Sequence, residues 1–528
     1  MAPIVGRVRW TDRAPVAARN YWLSKGVDMA WTYEKSEERA TTRYEQTSDL
    51  EIADITREID FDLISRTKPR RVVGTQFYVD VGNFTKQLRS ELDDDGEDLL
   101  RLLHVYSREA SRIVESDFDG QKVHFQGPRL HALAYRPVSD ESEMAAKAVL
   151  TCLAIRHMTA IFNEVFELAD DAAWLIGAGL DHGRCIATRN GANGDQELLF
   201  LGSAANHAAK ILDKTGTRMT PRVRDLLPED FDSAITEIEG GDSRIWMPLE
   251  DVERLAAEHS WTWTAATSRT RLEKAAARYP AGSVTSSEVQ ESIDKSALTL
   301  SRTKRVSAAS LFADVDGFTS YIDGLEQIDE NLVEAIRTFH VLRGVMRDSA
   351  VQDFNALRIQ YQGDRMQALV YRPVGDDEKT AFTAVKLAAA LITVANEIVP
   401  AAVYTTEVHP LAIGLAWGQV LVSRIGEHGN TDVISLGSST AKAADIQQHL
   451  DGNTIGIDGA LRDLLPEWLQ QAFKWSTSAR GYVATDLDWH AFCLLETSEE
   501  ENDSLETAPS WSGRARCAQP PIRPWRAI

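Results

Sequence analysis

The sequence predicts an α+β fold used twice, in which helices cover one face of a largely antiparallel sheet in each of two domains. Three observations predict it. First, segments recur at a nearly constant spacing. FYVDVGNFTKQL (77–88) matches LFADVDGFTSYI (311–322), FQGPRLHALAYRP (125–137) matches YQGDRMQALVYRP (361–373), and LFLGSAANHAAKI (199–211) matches VISLGSSTAKAADI (433–446). Asp80 and Asp314, Gly127 and Gly363, and Gly202 and Gly437 are thus 234 to 236 residues apart, which is one fold repeated. Second, 528 residues exceed the size at which a single core stops growing. Third, the hydrophobic period switches between two and 3.6 within each repeat, in the order strand, helices, hairpin, helix, strands.

The elements follow from local chemistry. Residues 1–70 read as an amphipathic, Trp-containing N-terminal arm, 71–250 as the first domain and 305–498 as the second. Between them, 251–304 is a helical linker: DVERLAAEHSW and RLEKAAARYP favour helix, and a Ser/Thr-rich stretch follows. The tail, 499–528, is acidic and then Pro/Arg-rich, the composition of a flexible segment. RVSAASLFADV is a β-branched and apolar strand ending in a carboxylate, and GFTSYIDGL opens a helix with Thr319 and Ser320 as caps. ALRIQYQGDRMQALVYRP reads as a hairpin turning at Gly363-Asp364, and TAFTAVKLAAALITVANEIV as a long apolar helix.

Composition narrows the function. A net charge of −22 argues against broad, sequence-independent nucleic-acid binding, which requires many phosphate-neutralising cations. The apolar run AVKLAAALITVA, interrupted by Lys386, is read as too short for a bilayer, and MAPIVGRVRW lacks the apolar run of a signal peptide, so a cytoplasmic protein without membrane partners is expected. Four widely spaced cysteines define neither a disulfide framework nor a zinc site.

Two strand-end aspartates beside a helix start form a triphosphate site in outline. Carboxylates can hold two Mg²⁺ or Mn²⁺ ions, and the unpaired amides of a helix N-terminus can receive phosphate oxygens. Isolated Asp-Gly and Gly-Asp pairs are ordinary turn formers, so the pairing carries the signal.

FADVDGFTS, followed 50 residues after its first Asp by the Gly-Asp of YQGDRMQALVY, resembles the class III nucleotidyl cyclases, and the three repeated motifs stand in that family's order. The resemblance implies two cyclase-like domains packed as an intramolecular pseudo-heterodimer with shared sites. It assigns Asp314, Asp364 and the backbone of Val315 to metal, Gly317, Phe318, Thr319 and Ser320 to phosphate, and Asn206 and Lys210 to the Asn-x-x-x-Arg pair that binds ribose and the developing charge. Lys210 stands where the family has Arg, and a point charge cannot reproduce a guanidinium fork. The second domain has Ala441 and Asp445 at these two positions, and the first has Pro128 where the second has Asp364. The deficits are complementary, so one complete composite site and one dead site are expected.

The base-reading positions implied by the resemblance are His124 and Leu199, with Tyr78 at the family's stacking position. They fit neither purine pattern, because Leu199 offers no hydrogen bond to an exocyclic group. Tyr78 and His124 are bulky and favour a one-ring base. The segments GSAANHAAK and QGDR are similar to the pyrimidine cyclases of bacterial antiphage (Pycsar) systems, which implies UTP, or CTP, as the nucleoside triphosphate substrate and a cyclic nucleotide product acting on a separate effector. Three alternatives stay open here: His124 as a structural histidine, an adenylate cyclase with an unusual pocket, and a catalytically dead nucleotide-binding pseudocyclase. Association of two chains into a homodimer is also open.

Overall fold

The computed structural model describes residues 31–90, 96–190, 197–238, 240–325, 329–405, 407–427 and 430–506. In the first sheet β1 (Arg70–Val81) lies between a hairpin, β2 (Gln121–Gln126) and β3 (Arg129–Ala134), and the long strand β4 (Ile176–Asn190). Strand β5 (Glu197–Leu201) folds back on β4, and β6 (Thr217–Met219), β7 (Ile235–Glu237) and β8 (Ser243–Ile245) extend the far edge, giving the order β2-β3-β1-β4-β6-β8-β7. The second sheet repeats this with β9 (Thr303–Val315), β10 (Leu357–Gln362), β11 (Arg365–Val370), β12 (Leu411–Glu427), β13 (Asn430–Leu436), β14 (Thr454–Ile457), β15 (Lys474–Ser476) and β16 (Gly481–Thr485). Each sheet has nine strands, because Ala53–Asp54 pairs with β1 and Ser286–Glu288 with β9. The ladders are antiparallel except for these two short pairings and for β4–β6 and β12–β14, which are parallel. The α+β expectation holds.

Alternation along β1 sorts its side chains onto two faces. Phe77, Val79 and Val81 enter the core beneath α3 (Gly96–Arg112) and α4 (Glu141–Val165), whereas Tyr78 lies on the opposite face. That face carries α5 (Ser203–Lys210), which crosses β4 so closely that a Cβ at Gly179 would stand 2.2 Å from the Ala208 carbonyl. Only glycine admits this approach. In the second domain α9 (Asp329–Asp348) and α10 (Asp377–Thr393) contribute Ile336, Phe339 and Leu387 to the corresponding core. By length and hydropathy, α4 and the helical run Asp377–Ala402 could each cross a bilayer, so the second is longer than the sequence reading allowed. Their apolar windows are 83% and 72% buried inside the protein, as core helices are.

The two domains exchange hairpins. Ile186, Leu199 and Leu201 from β4 and β5 join the second domain's core, and Leu421, Ile425, Ile434 and Leu436 from β12 and β13 join the first domain's core. Charged contacts follow the same exchange. Glu197 accepts from Arg358 (2.5 Å) and from the Tyr361 amide (2.8 Å), and Lys122 meets Asp432 at 2.8 Å.

The flanking segments are folded against this pair. Helix α1 (Tyr33–Glu45) reaches across to the second domain, where Lys35 and Arg39 both meet the fully buried Asp353 carboxylate and Arg43 meets Asp348. Helices α6 (Leu249–Glu258) and α7 (Ala265–Arg278) bury Val252, Leu255 and Leu272 in the first domain's core, and Trp263 of their connection joins them there. Val289, Ile293 and Leu298 instead pack with Val306 and Val420 of the second. Helix α12 (Trp489–Glu506) runs beyond Glu499, where the sequence suggested a flexible tail. Trp489 and Phe492, packed against Trp31 and Phe382, anchor its start. Residues 507–528 of that tail and 1–30 of the arm lie outside the described residues.

Two buried histidines give the fold a pH dependence. Burial pushes His104 down to about 4 and His340, whose Nε2 lies 3.3 Å from Thr188 Oγ1 across the domain interface, down to about 3. Both stay neutral in the folded chain, while the unfolded chain takes up protons near pH 6.5. Stability is therefore fully present above pH 6.5 and lost as pH falls toward the folded values, by roughly 2 kcal/mol per histidine at pH 5. Thermal melts of wild type and His340→Asn between pH 8 and 5 check this: the variant is expected to lose less, and equal slopes would contradict it.

Candidate active site

Asp314, at the end of β9, and Asp364, in the β10–β11 turn, come together closely enough for each carboxyl group to influence the protonation of the other. Burial raises the pKa of both, and the charge of Asp314 pushes Asp364 up further. Gln447 donates from Nε2 to Asp314 Oδ2 (3.1 Å), and Arg365 donates to Gln447 Oε1 (3.3 Å). The Arg365 guanidinium offsets part of this paired charge, and a bound cation or a proton would offset the rest. No third acidic, cysteine or histidine side chain completes a metal cluster among the described residues. A pair of carboxylates with the Val315 carbonyl, leaving positions for phosphate oxygens, nevertheless suits Mg²⁺, which rarely takes an all-protein cage.

Directly after this pair, Gly317 has φ +73°, and nothing lies within 4 Å of where a Cβ would stand. Glycine therefore serves the turn and leaves open space at the start of α8 (Phe318–Leu325). Phe318 is buried against Phe339, Thr319 is half-buried, and Ser320 is exposed. Asp316 braces a neighbouring loop, where its Oδ2 accepts from the Gly452 amide at 2.9 Å.

Helix α5 of the first domain lies against α8 of the second. Asn206 and Lys210, one helical turn apart, share a face of α5. Asn206 Nδ2 is buried and has no hydrogen-bond partner, while Lys210 is exposed at the helix end. At the mirror position, α11 (Ser438–Gln447) approaches α2 (Phe84–Ser90). There Asp80 is held by Arg129 at 3.0 Å, and Asp445 lies 3.9 Å from Arg480.

A polar row crosses the first sheet toward this junction. A bulge between Lys122 and His124 sets His124 opposite His131, and His131 is opposite Tyr78, so all three share one face. Tyr78 and His131 stack at 4.2 Å with planes 7° apart, and His124 meets His131 edge-on at 5.4 Å. Burial raises the pKa of Tyr78, which feels the charges of Arg129 and of Asp364 across the interface, and burial lowers those of His124 and His131. Leu199 stands apart from the row, among the apolar residues contributed to the second domain's core. His131 and its partner Gln76 (2.8 Å) were not singled out from sequence, although alternation along RLHALA was a usable signal.

Two domains of one topology, exchanging hairpins and sharing a junction of paired aspartates, define the fold of the class III nucleotidyl cyclases. In agreement, the chain superposes with a TM-score of 0.72 on a class III adenylyl cyclase-like ATP-binding protein from Pseudomonas aeruginosa, 24% identical, over 88% of this chain and 99% of that one. In sequence it is similar to a uridylate cyclase from Pseudomonas aeruginosa, 28% identical over 471 residues, covering 85% of this chain and 88% of the relative. A uridylate cyclase from a Rhizobium species is 25% identical over 451 residues, covering 79% and 83% respectively. No family model matches the chain.

Proposed function

We propose that this chain is a pyrimidine nucleotide cyclase that converts UTP to its 3′,5′-cyclic monophosphate and pyrophosphate at one composite site. The observation that carries the reading is the junction of α5 with α8: a buried, unpartnered Asn206 amide nitrogen on one domain and, on the other, the helix that follows the paired aspartates. Kinship with two uridylate cyclases over most of the chain supports the choice of base.

Asp314, Asp364 and the Val315 carbonyl would hold Mg²⁺ or Mn²⁺, which when bound supplies positive charge at the phosphates and acidifies the ribose 3′-hydroxyl. The α8 start, Gly317 to Ser320, receives the β- and γ-phosphates through its free amides. Asn206 Nδ2 donates to the ribose and aligns the 3′-oxygen for in-line attack on the α-phosphorus. That attack forms the 3′-O–P bond as the bond to the departing pyrophosphate breaks. Lys210 offsets the charge that builds on the α-phosphate oxygens. No covalent enzyme intermediate is required. Tyr78 and His124 bound a pocket for a one-ring base, whereas Leu199, expected at the base from sequence, is given over to the second domain's core. The cyclic product leaves to act on a separate effector, as an antiphage messenger would.

The test is to incubate the purified chain with each of the four nucleoside triphosphates and Mn²⁺ and to resolve the cyclic products. Cyclic UMP is expected to dominate, and Tyr78→Ala is expected to raise the ATP rate relative to UTP by about tenfold, the range that one packing contact can discriminate. Faster cyclisation of ATP than of either pyrimidine by wild type would refute the reading, as would the absence of any cyclic product.

A further inference from the structure

We propose that Gln126 is a positioning residue that fixes the tautomer of His124 and thereby selects uracil over cytosine. This rests on the reading of the site as a pyrimidine pocket, and goes beyond it by naming the device that chooses between two pyrimidines.

The two imidazoles of the row are held in opposite ways. Gln126 Nε2 lies 2.7 Å from His124 Nε2, and in this amide orientation, where the nitrogen can only donate, His124 Nε2 is the acceptor. In a neutral ring the proton is then on Nδ1. That nitrogen has no hydrogen-bond partner among the described residues. His131 is the reverse case: its Nε2 faces the Gln76 carbonyl oxygen at 2.8 Å and carries the proton. Burial, the largest influence on both rings, keeps them uncharged. His124 Nδ1 is then a neutral N–H donor without a protein partner among the described residues, which we assign to the base.

The two pyrimidines differ at the position such a donor can read. Uracil presents the O4 carbonyl, an acceptor, where cytosine presents the N4 amino group, a donor. An Nδ1–H pairs with the first and opposes the second. Without the restraint both tautomers become accessible, and with a carboxylate at position 126 the Nε2–H form is favoured, which turns Nδ1 into an acceptor suited to cytosine.

The experiment measures kcat/KM for UTP and CTP in wild type, Gln126→Leu and Gln126→Glu at pH 8.5, where the imidazole stays neutral. Nitrogen-15 NMR of histidine-labelled protein, assigned with His124→Gln, reads the tautomer directly. A UTP:CTP ratio that falls at least about tenfold in Gln126→Glu and less in Gln126→Leu, with a protonated Nδ1 and bare Nε2 in wild type, supports the inference. A wild type that makes cyclic UMP while both variants keep its ratio, or one whose His124 proton is on Nε2, overturns this inference alone. A wild type that cyclises ATP and neither pyrimidine overturns the pocket reading and this inference together.

Discussion

Asp314→Asn or Asp364→Asn is expected to lower turnover at least about a thousandfold, whereas Asp80→Asn is expected to leave most of it. Asp80 and Asp314 occupy matching positions of the two repeats, yet their surroundings differ. Asp314 and Asp364 stand close enough to influence each other's protonation, and their negative charge is what would attract divalent cations. Asp80 faces Pro128 in place of a second carboxylate and is already neutralised by Arg129 at 3.0 Å. Steady-state rates with a pyrimidine triphosphate and Mn²⁺ decide the matter, with circular dichroism to show that each variant is folded. Equal losses from all three substitutions would mean that both junctions contribute, and the single-site account would fail.

The second large effect is expected at Lys210. Lys210→Ala should reduce kcat by about a hundredfold with little change in KM, since a charge facing the α-phosphate matters most when negative charge peaks on its oxygens. Lys210→Arg should retain much of the activity, because it keeps the charge on the same helical face. The exposed setting of Lys210 makes a folding defect an unconvincing cause of any loss. A rise in KM alone would make Lys210 a ground-state contact and remove it from the chemistry.

Much of this was legible in the sequence because it depended on local period and on repetition. The strand running into Asp314, the Gly-Asp turn and the short helix bearing Asn206 each follow from a few neighbouring residues. Comparison of the repeats then exposed Pro128 against Asp364 and Asn206 against Ala441. What was not legible depends on register. His131 becomes a partner of Tyr78 only through the β1–β3 pairing, and His124 joins the row only because a bulge skips one residue. Contacts between distant segments were equally hidden. Nothing in ELLFL marks Glu197 as the residue that meets Arg358 and the Tyr361 amide of the other domain, or Leu199 as part of that domain's core. The Asp353 carboxylate, buried beneath two cations of the arm, gave no local signal either.

The hairpin exchange has a consequence for how activity responds to dilution. A cyclase assembled from two separate identical chains loses its shared sites when its concentration falls below the dissociation constant. Here the donor of the paired aspartates and the donor of Asn206 are covalently joined, and each completes the other's interior with residues such as Leu199 and Leu436. The effective concentration of one half at the other is set by the connecting chain, in the millimolar range for short tethers, and not by expression level. Specific activity should therefore stay constant down to nanomolar protein.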